Sequence, residues 1–339
     1  MLSESIAVDM GSSYTKLVYR TRTLADETRA ALDPDNSLHV LAAGEEGRRI
    51  LGAGAAYPVR GGVADIPLAA LILRRFSLRL LKRRTLLGVS AVIAARGGVP
   101  EREREALVEL GEEAGFRRVR LVSGLLAGAV GAGADVCSES ALMVADIGRE
   151  TFTAGVISNG GLLSERTERM GSVMFDKRIM DYLAREHGLL VSSRAAERLK
   201  KSLDKPMLSV SCRDCASGRA KTTELSSASL HRELSCCAER LCGAIVRTLD
   251  AAPAEAVGDL VDNGILLIGG GARQFGLAEA LAERLGVPVR TADDPELAIA
   301  QGVSRLAEGS VLPGREVPSE PETYSFMCGR APRRGSVSV

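Results

Sequence analysis

Ile6-Ala7-Val8-Asp9 is a short apolar run that ends on a carboxylate and breaks into Met10-Gly11-Ser12-Ser13-Tyr14-Thr15-Lys16, a turn built from glycine and hydroxyl side chains. The run reads as a buried strand. The turn can aim backbone N–H groups and hydroxyls at phosphate oxygens, while Asp9 can hold a hydrated Mg²⁺. Leu17-Val18-Tyr19-Arg20 then reads as the returning arm of a hairpin.

Working outward, residues 21–57 are small, polar and glycine-spotted, as expected of a short lobe with little core. Helical periodicity follows over 67–81 and again over 101–114, with strands at 89–94 and 119–122 and a small-residue helix over 125–132. The opening pattern then recurs. Ala141-Leu142-Met143-Val144-Ala145-Asp146-Ile147-Gly148 is a second apolar strand closing on Asp-x-Gly, and Thr153 to Ser158 is its returning arm. This repeat predicts two similar α/β halves facing each other across a cleft. The second half reads as a helical region over 175–203, a polar hairpin near 212–224 and a long helix over 227–252. A strand at 264–268 then runs into Gly269-Gly270-Gly271-Ala272. Beyond residue 312 the chain is rich in Pro, Ser, Gly and Arg, the composition of a disordered tail.

Composition narrows the function. The 339 residues carry 44 basic and 43 acidic side chains, so no global field calls for nucleic acid. Aromatic content is 3% with no Trp, which leaves no stacking platform for single strands. The N-terminus lacks a basic stretch followed by a long apolar one, and no apolar run reaches the roughly 18 residues of a membrane span. A cytoplasmic protein is expected, with its seven cysteines as thiols. Cys212-Arg213-Asp214-Cys215 has zinc-knuckle spacing, but Cys236, Cys237 and Cys242 supply no matching pair and His231 is the only nearby histidine, so thiols are preferred over a metal site.

The ordered segments resemble the actin-fold ATPase superfamily, and within it MreB, the bacterial actin homologue that organises cell-wall synthesis. Asp9 to Thr15 resembles the first phosphate loop, and Asp146-Ile147-Gly148 the start of the second. Glu197-Arg198-Leu199-Lys200 resembles the nucleoside segment, and Ser217-Gly218-Arg219-Ala220-Lys221-Thr222 a hairpin typical of MreB. Gly264 to Ala272 resembles the adenosine loop, and Asp294-Pro295 with Gly302 the closing segment. The resemblance implies an actin-like fold of two duplicated α/β domains, 1–140 and 141–312, with a small lobe near 21–57 and an insert lobe near 181–248. It implies ATP bound in the cleft by Asp9, Gly11, Ser12, Ser13, Tyr14, Asp146, Gly148, Glu197, Lys200, Gly269, Gly270, Gly271 and Ala272. Mg²⁺ would be held through water by Asp9 and Asp146. Filament formation, partners among cell-shape or wall-synthesis proteins, and docking at the inner face of the membrane follow from the same likeness. For docking, Leu86 and Leu87 beside Lys82, Arg83 and Arg84 occupy the position of an apolar loop, the alternative being a helix end with buried leucines.

The departures from the family pattern cluster on the γ-phosphate side. Ser123 stands where a glutamate positions the attacking water, and Arg149-Glu150-Thr151-Phe152 replaces Gly-Gly-Thr-Thr. Gly171-Ser172-Val173-Met174-Phe175-Asp176 replaces Gly-Gly-Asp-Glu-Met-Asp, and Ser202 stands where a glutamate is expected after the nucleoside lysine. The reading that results is a divergent MreB-like scaffold that binds ATP and hydrolyses it weakly or not at all. The alternatives are an active filament-forming ATPase and, ranked lower, a small-molecule kinase of the same fold.

Overall fold

The computed structural model describes residues 4–36, 39–50, 52 and 54–309, so the tail expected to be disordered lies outside the described residues. The chain opens with β1 (Ser5–Met10), β2 (Tyr14–Tyr19) and β3 (Arg22–Glu27), a meander whose second turn puts Arg20 in the left-handed region at φ 54°. A three-stranded lobe follows from β4 (Ala30–Leu32), β5 (Val40–Ala43) and β6 (Gly54–Ala56), ordered β5-β4-β6. Because β3 pairs along its full length with β2, residues 22–27 belong to the main sheet and not to the small lobe. Helix α1 (Ile66–Leu81) starts at an Asp65 cap that accepts the Leu68 N–H. It leads to β7 (Ser90–Ala95), α2 (Glu101–Ala114), β8 (Val119–Ser123) and α3 (Gly124–Gly131). Together the strands form a sheet ordered β3-β2-β1-β7-β8.

The second half repeats this plan. It is built from β9 (Leu142–Ile147), β10 (Phe152–Ser158), β11 (Gly161–Glu168), α4 (Val173–His187), β12 (Leu189–Leu190), α5 (Ser193–Lys201), β13 (Met207–Asp214) and β14 (Ala220–Ser226). Then come α6 (Ser227–Leu249), α7 (Ala254–Asn263), β15 (Ile265–Ile268), α8 (Leu277–Leu285), β16 (Val289–Thr291) and α9 (Ala298–Ala307). Its sheet is ordered β11-β10-β9-β15-β16, strand for strand the order of the first, and β12-β13-β14 form a separate three-stranded sheet. The helical stretch expected over 175–203 is therefore two helices. Gly188, at φ 60°, ends α4, and the Ser192 hydroxyl caps α5.

The apolar strands are buried on both faces, which is why they read as unbroken runs and not as alternation. In β1, Ile6 and Val8 join the core beneath α1 and α2, while Ala7 faces the other way with Val303 of α9. In β9, Met143, Ala145 and Ile147 pack with α4 and α6, while Val144 meets Leu125 and Leu126 of α3. The helices exchange halves: α9, the last helix among the described residues, lies on β1, β2 and β7, and α3, which precedes the second half, lies on β9, β10 and β15. They cross at reciprocal glycines. A Cβ on Gly131 would lie 1.7 Å from the Ala298 carbonyl oxygen, and one on Gly302 would lie 1.7 Å from that of Ala127.

Five of the cysteines (Cys212, Cys215, Cys236, Cys237 and Cys242) are free thiols. Cys137 is not; it is held in a disulfide, which corrects the reading of all seven as thiols. Among the described residues no helix is long and apolar enough to cross a membrane.

Candidate functional site

The two Asp-x-Gly turns close in the same way. Gly11 N–H donates to the Tyr14 carbonyl at 3.0 Å, and Gly148 N–H donates to the Thr151 carbonyl at 2.9 Å. Each turn thus folds its tip, Ser12-Ser13 in the first and Arg149-Glu150 in the second, back over the end of its own strand. The strand registers also correspond, with Asp9 opposite Lys16 and Asp146 opposite Thr153. Both turns open onto one cavity of about 750 Å³ between the halves.

Its walls bring together Asp9, Gly11, Ser12, Ser13 and Tyr14 from the first turn and Asp146 and Gly148 from the second. Glu197 and Lys200 of α5 and Gly269, Gly270 and Gly271 complete the set. Four residues singled out in the sequence stand apart from these walls. Ala272 is 3% exposed beneath the triple-glycine turn and does not reach the cavity. Ser123 is likewise 3% exposed, and its Oγ accepts the Leu126 N–H at 3.2 Å as the cap of α3. The helix claims the hydroxyl at the position where a carboxylate was sought. Leu86 is packed in the core with α1, whereas Leu87 is 87% exposed, so the proposed membrane pair is divided and Leu86 drops out of it.

The glycines act on the protein more than on a ligand. Gly269 has φ 83°, and a Cβ there would lie 2.1 Å from Asp146 Oδ1; one on Gly271 would lie 2.4 Å from Ile147 Cγ2. The triple-glycine turn therefore seats directly on the second Asp-x-Gly turn, and only Gly270 has open space, with Glu296 Cγ nearest at 3.8 Å.

Charges in the cavity are closely balanced. Lys16 Nζ donates to Asp9 Oδ2 at 2.7 Å. Burial opposes the ammonium, but Asp9, with Asp146 and Glu296, holds Lys16 above the usual lysine range. Burial first, and then the negative charge of Asp9, push the Asp146 carboxyl up to about 7, with Lys16 and Arg96 pulling the other way. On the opposite wall Lys200 Nζ lies 2.7 Å from Oδ1 of the buried Asp176. Arg149, in the second turn, also lines the cavity. Its guanidinium reaches 3.7 Å from Asp176 and 3.9 Å from Glu197, tying the phosphate-side turn to α4 and α5. Glu150 instead approaches Gly61 of the first half, whose Cβ position is 3.8 Å from Glu150 Oε2.

Several cavity residues escaped the sequence reading. Lys16 follows Tyr14 by two positions on a strand and so shares its face, the signal that places it in the cavity. Arg96 and Glu103 also line the cavity, ion-paired to each other. Glu165, on β11, accepts the Gly97 N–H at 3.0 Å across the divide between the halves. Burial pushes its carboxyl up to about 7 against the pull of that N–H, from an ordinary value of 4.5. The folded protein holds this proton more tightly than the unfolded chain, so the group makes stability fall as pH rises from 4.5 towards 7. Glu165→Gln is expected to flatten that part of the profile. Melting curves at pH 5 and pH 7.5 check this, and equal pH slopes for both proteins would refute it.

Comparison with known proteins agrees with this architecture. The MreB/Mbl protein family model matches residues 3–312. Cell shape-determining protein Mbl of Bacillus subtilis is 30% identical over 333 residues, covering 94% of this chain and 100% of the relative. Cell shape-determining protein MreB of Escherichia coli K12 is 28% identical over 340 residues, covering 94% and 98%. Among solved structures, MreB5 of Spiroplasma citri bound to AMPPNP superposes with a TM-score of 0.84 at 22% identity, covering 92% of this chain and 97% of that one. The MamK double helical filament gives 0.74 at 18% identity, covering 93% and 99%. With the duplicated sheets, the shared cavity and a family match over nearly its whole length, this chain belongs to the MreB/Mbl family and has the actin-like fold.

Proposed function

We propose that this chain is a cytoskeletal scaffold for cell shape or wall synthesis that binds adenine nucleotide in the cleft and hydrolyses it weakly. The observation that carries the reading is the asymmetry of the cavity. Both Asp-x-Gly turns and the triple-glycine turn are assembled, yet the position expected to hold a water-positioning carboxylate is Ser123, buried as a helix cap. Glu103, a carboxylate on the same wall, is neutralised by Arg96 and is no free base.

The first turn offers the hydroxyls of Ser12 and Ser13 to phosphate oxygens, and Lys16 adds a cation beside them. Asp9, paired with Lys16, and Asp146 both line the cavity, and a divalent cation between them would favour the ionised form of both carboxylates. Mg²⁺ held there through water would neutralise phosphate charge. Glu197 and Lys200 would take the nucleoside end. The cocrystallised AMPPNP and ADP of the Spiroplasma MreB5 structures support nucleotide of this class. Isothermal titration with ADP and AMPPNP, with and without Mg²⁺, tests the reading; binding is expected, and no heat under either condition would end it.

Self-association into filaments is the mode in which such a scaffold would act, supported by the likeness to the MamK filament. Nucleotide-dependent pelleting tests it. Membrane docking now rests on Leu87 alone, since Arg83 pairs with Glu4 at 2.7 Å and Leu86 is core. Burying one leucine is worth only about 1.5–3 kcal/mol, so any docking depends on many copies in a filament. Leu87→Asp is expected to reduce co-sedimentation with anionic vesicles without lowering the melting temperature, whereas Leu86→Asp should unfold the first half. Unchanged vesicle binding by Leu87→Asp would remove the membrane from the account.

A further inference from the structure

Two side chains of β11 grip a single peptide unit of the opposite half. Gly97, just beyond β7, donates its N–H to Glu165 Oε1 at 3.0 Å, and its carbonyl accepts the Thr167 hydroxyl at 3.0 Å. Glu165 and Thr167 are two residues apart on one strand, so they share a face and reach the same peptide from either side. The grip excludes a side chain at residue 97, because a Cβ there would lie 1.5 Å from Glu165 Oε2.

The grip is also connected to the cavity. The Thr167 proton is committed to Gly97, so the 3.0 Å contact between Thr167 and Thr153 must be a hydrogen bond donated by Thr153. Thr153 lines the cavity, opposite Asp146 in the sheet register. Its hydroxyl, having given its hydrogen to Thr167, offers only lone pairs to whatever enters. A hydrogen-bonded chain thus runs from the cavity wall through Thr153 and Thr167 to the Gly97 peptide of the other half.

We propose that Glu165, Thr167 and Gly97 form a latch between the halves that sets how readily the cleft opens. The latch acts on domain motion whether or not the cavity holds nucleotide; its effect on ligand release rests on the nucleotide reading above. Two hydrogen bonds to one peptide, one of them to a carboxyl group, are enough to change an opening equilibrium by about tenfold or more.

The test is amide hydrogen exchange on the full chain, comparing the native protein with Glu165→Ala/Thr167→Val and with Glu165→Gln. The double variant should exchange at least about tenfold faster in segments 94–99 and 162–168, while α3 and α9 stay as protected as in the native chain. Glu165→Gln keeps an acceptor oxygen and should stay near native rates. Release of a fluorescent ADP analogue should also speed up in the double variant. Native-like exchange in the double variant would overturn the latch, and so would an increase spread equally over α3 and α9, which marks general destabilisation. A chain that binds no nucleotide but shows the localised exchange keeps the latch and loses the nucleotide reading.

Discussion

Gly302→Ala is expected to destabilise the protein by about 3 kcal/mol, and Gly131→Ala by a similar amount, because each methyl group must occupy the place of a carbonyl oxygen 1.7 Å away. No rotamer relieves the clash, since the colliding groups are the helix backbones themselves. The helices must separate, and each is the layer that covers the other half's central sheet. Gly258→Ala is the matched control. It lies within α7 with nothing within 4 Å of its Cβ position, so helix propensity alone should raise stability by about 0.5–1 kcal/mol. Denaturant unfolding of the three variants measures both signs. Equal, small effects at residues 258 and 302 would mean that the helix crossing is looser than described.

The second large effect is expected in catalysis. Losing a positioned general base typically costs roughly 10²–10⁴-fold in rate. Restoring the family pattern with Ser123→Glu, Arg149→Gly and Glu150→Gly should therefore raise ATP turnover steeply. The structure adds two costs. Ser123→Glu removes the cap of α3, worth about 0.5–2 kcal/mol, only partly offset by a negative charge at a helix N-terminus. Arg149→Gly cuts the tie to Asp176 and Glu197 and leaves Asp176 to Lys200 alone. The triple variant should thus turn over faster while melting lower. Lower stability with no gain in turnover would show that the missing glutamate is not what limits the rate.

The duplicated architecture was legible because it is written locally. Each central strand is apolar on both faces and ends on the same Asp-x-Gly signal. The cavity's first turn followed from the same local pattern. What stayed hidden depends on contacts between distant positions. Nothing near Gly97 announces Glu165, 68 residues later, and nothing near Gly131 announces Ala298. The glycines of the triple turn have a second role that the sequence did not announce. Gly269 and Gly271 line the cavity as expected, and their missing side chains also make room for Asp146 and Ile147. Leu86 and Leu87 look alike in sequence, and only the packing against α1 separates a core residue from an exposed one. Arg149 stands where the family has glycine, and nothing near it in sequence announces that its guanidinium reaches the buried carboxylate of Asp176.

The central claim is that nucleotide binding has outlasted catalysis in this cleft. Quench-flow with excess protein over radiolabelled ATP and Mg²⁺ reports bound nucleotide and cleaved phosphate from the same sample. The account predicts that ATP is captured in full and remains uncleaved over times in which the triple variant completes a turnover. Cleavage of bound ATP by the native chain as fast as by the triple variant would contradict it.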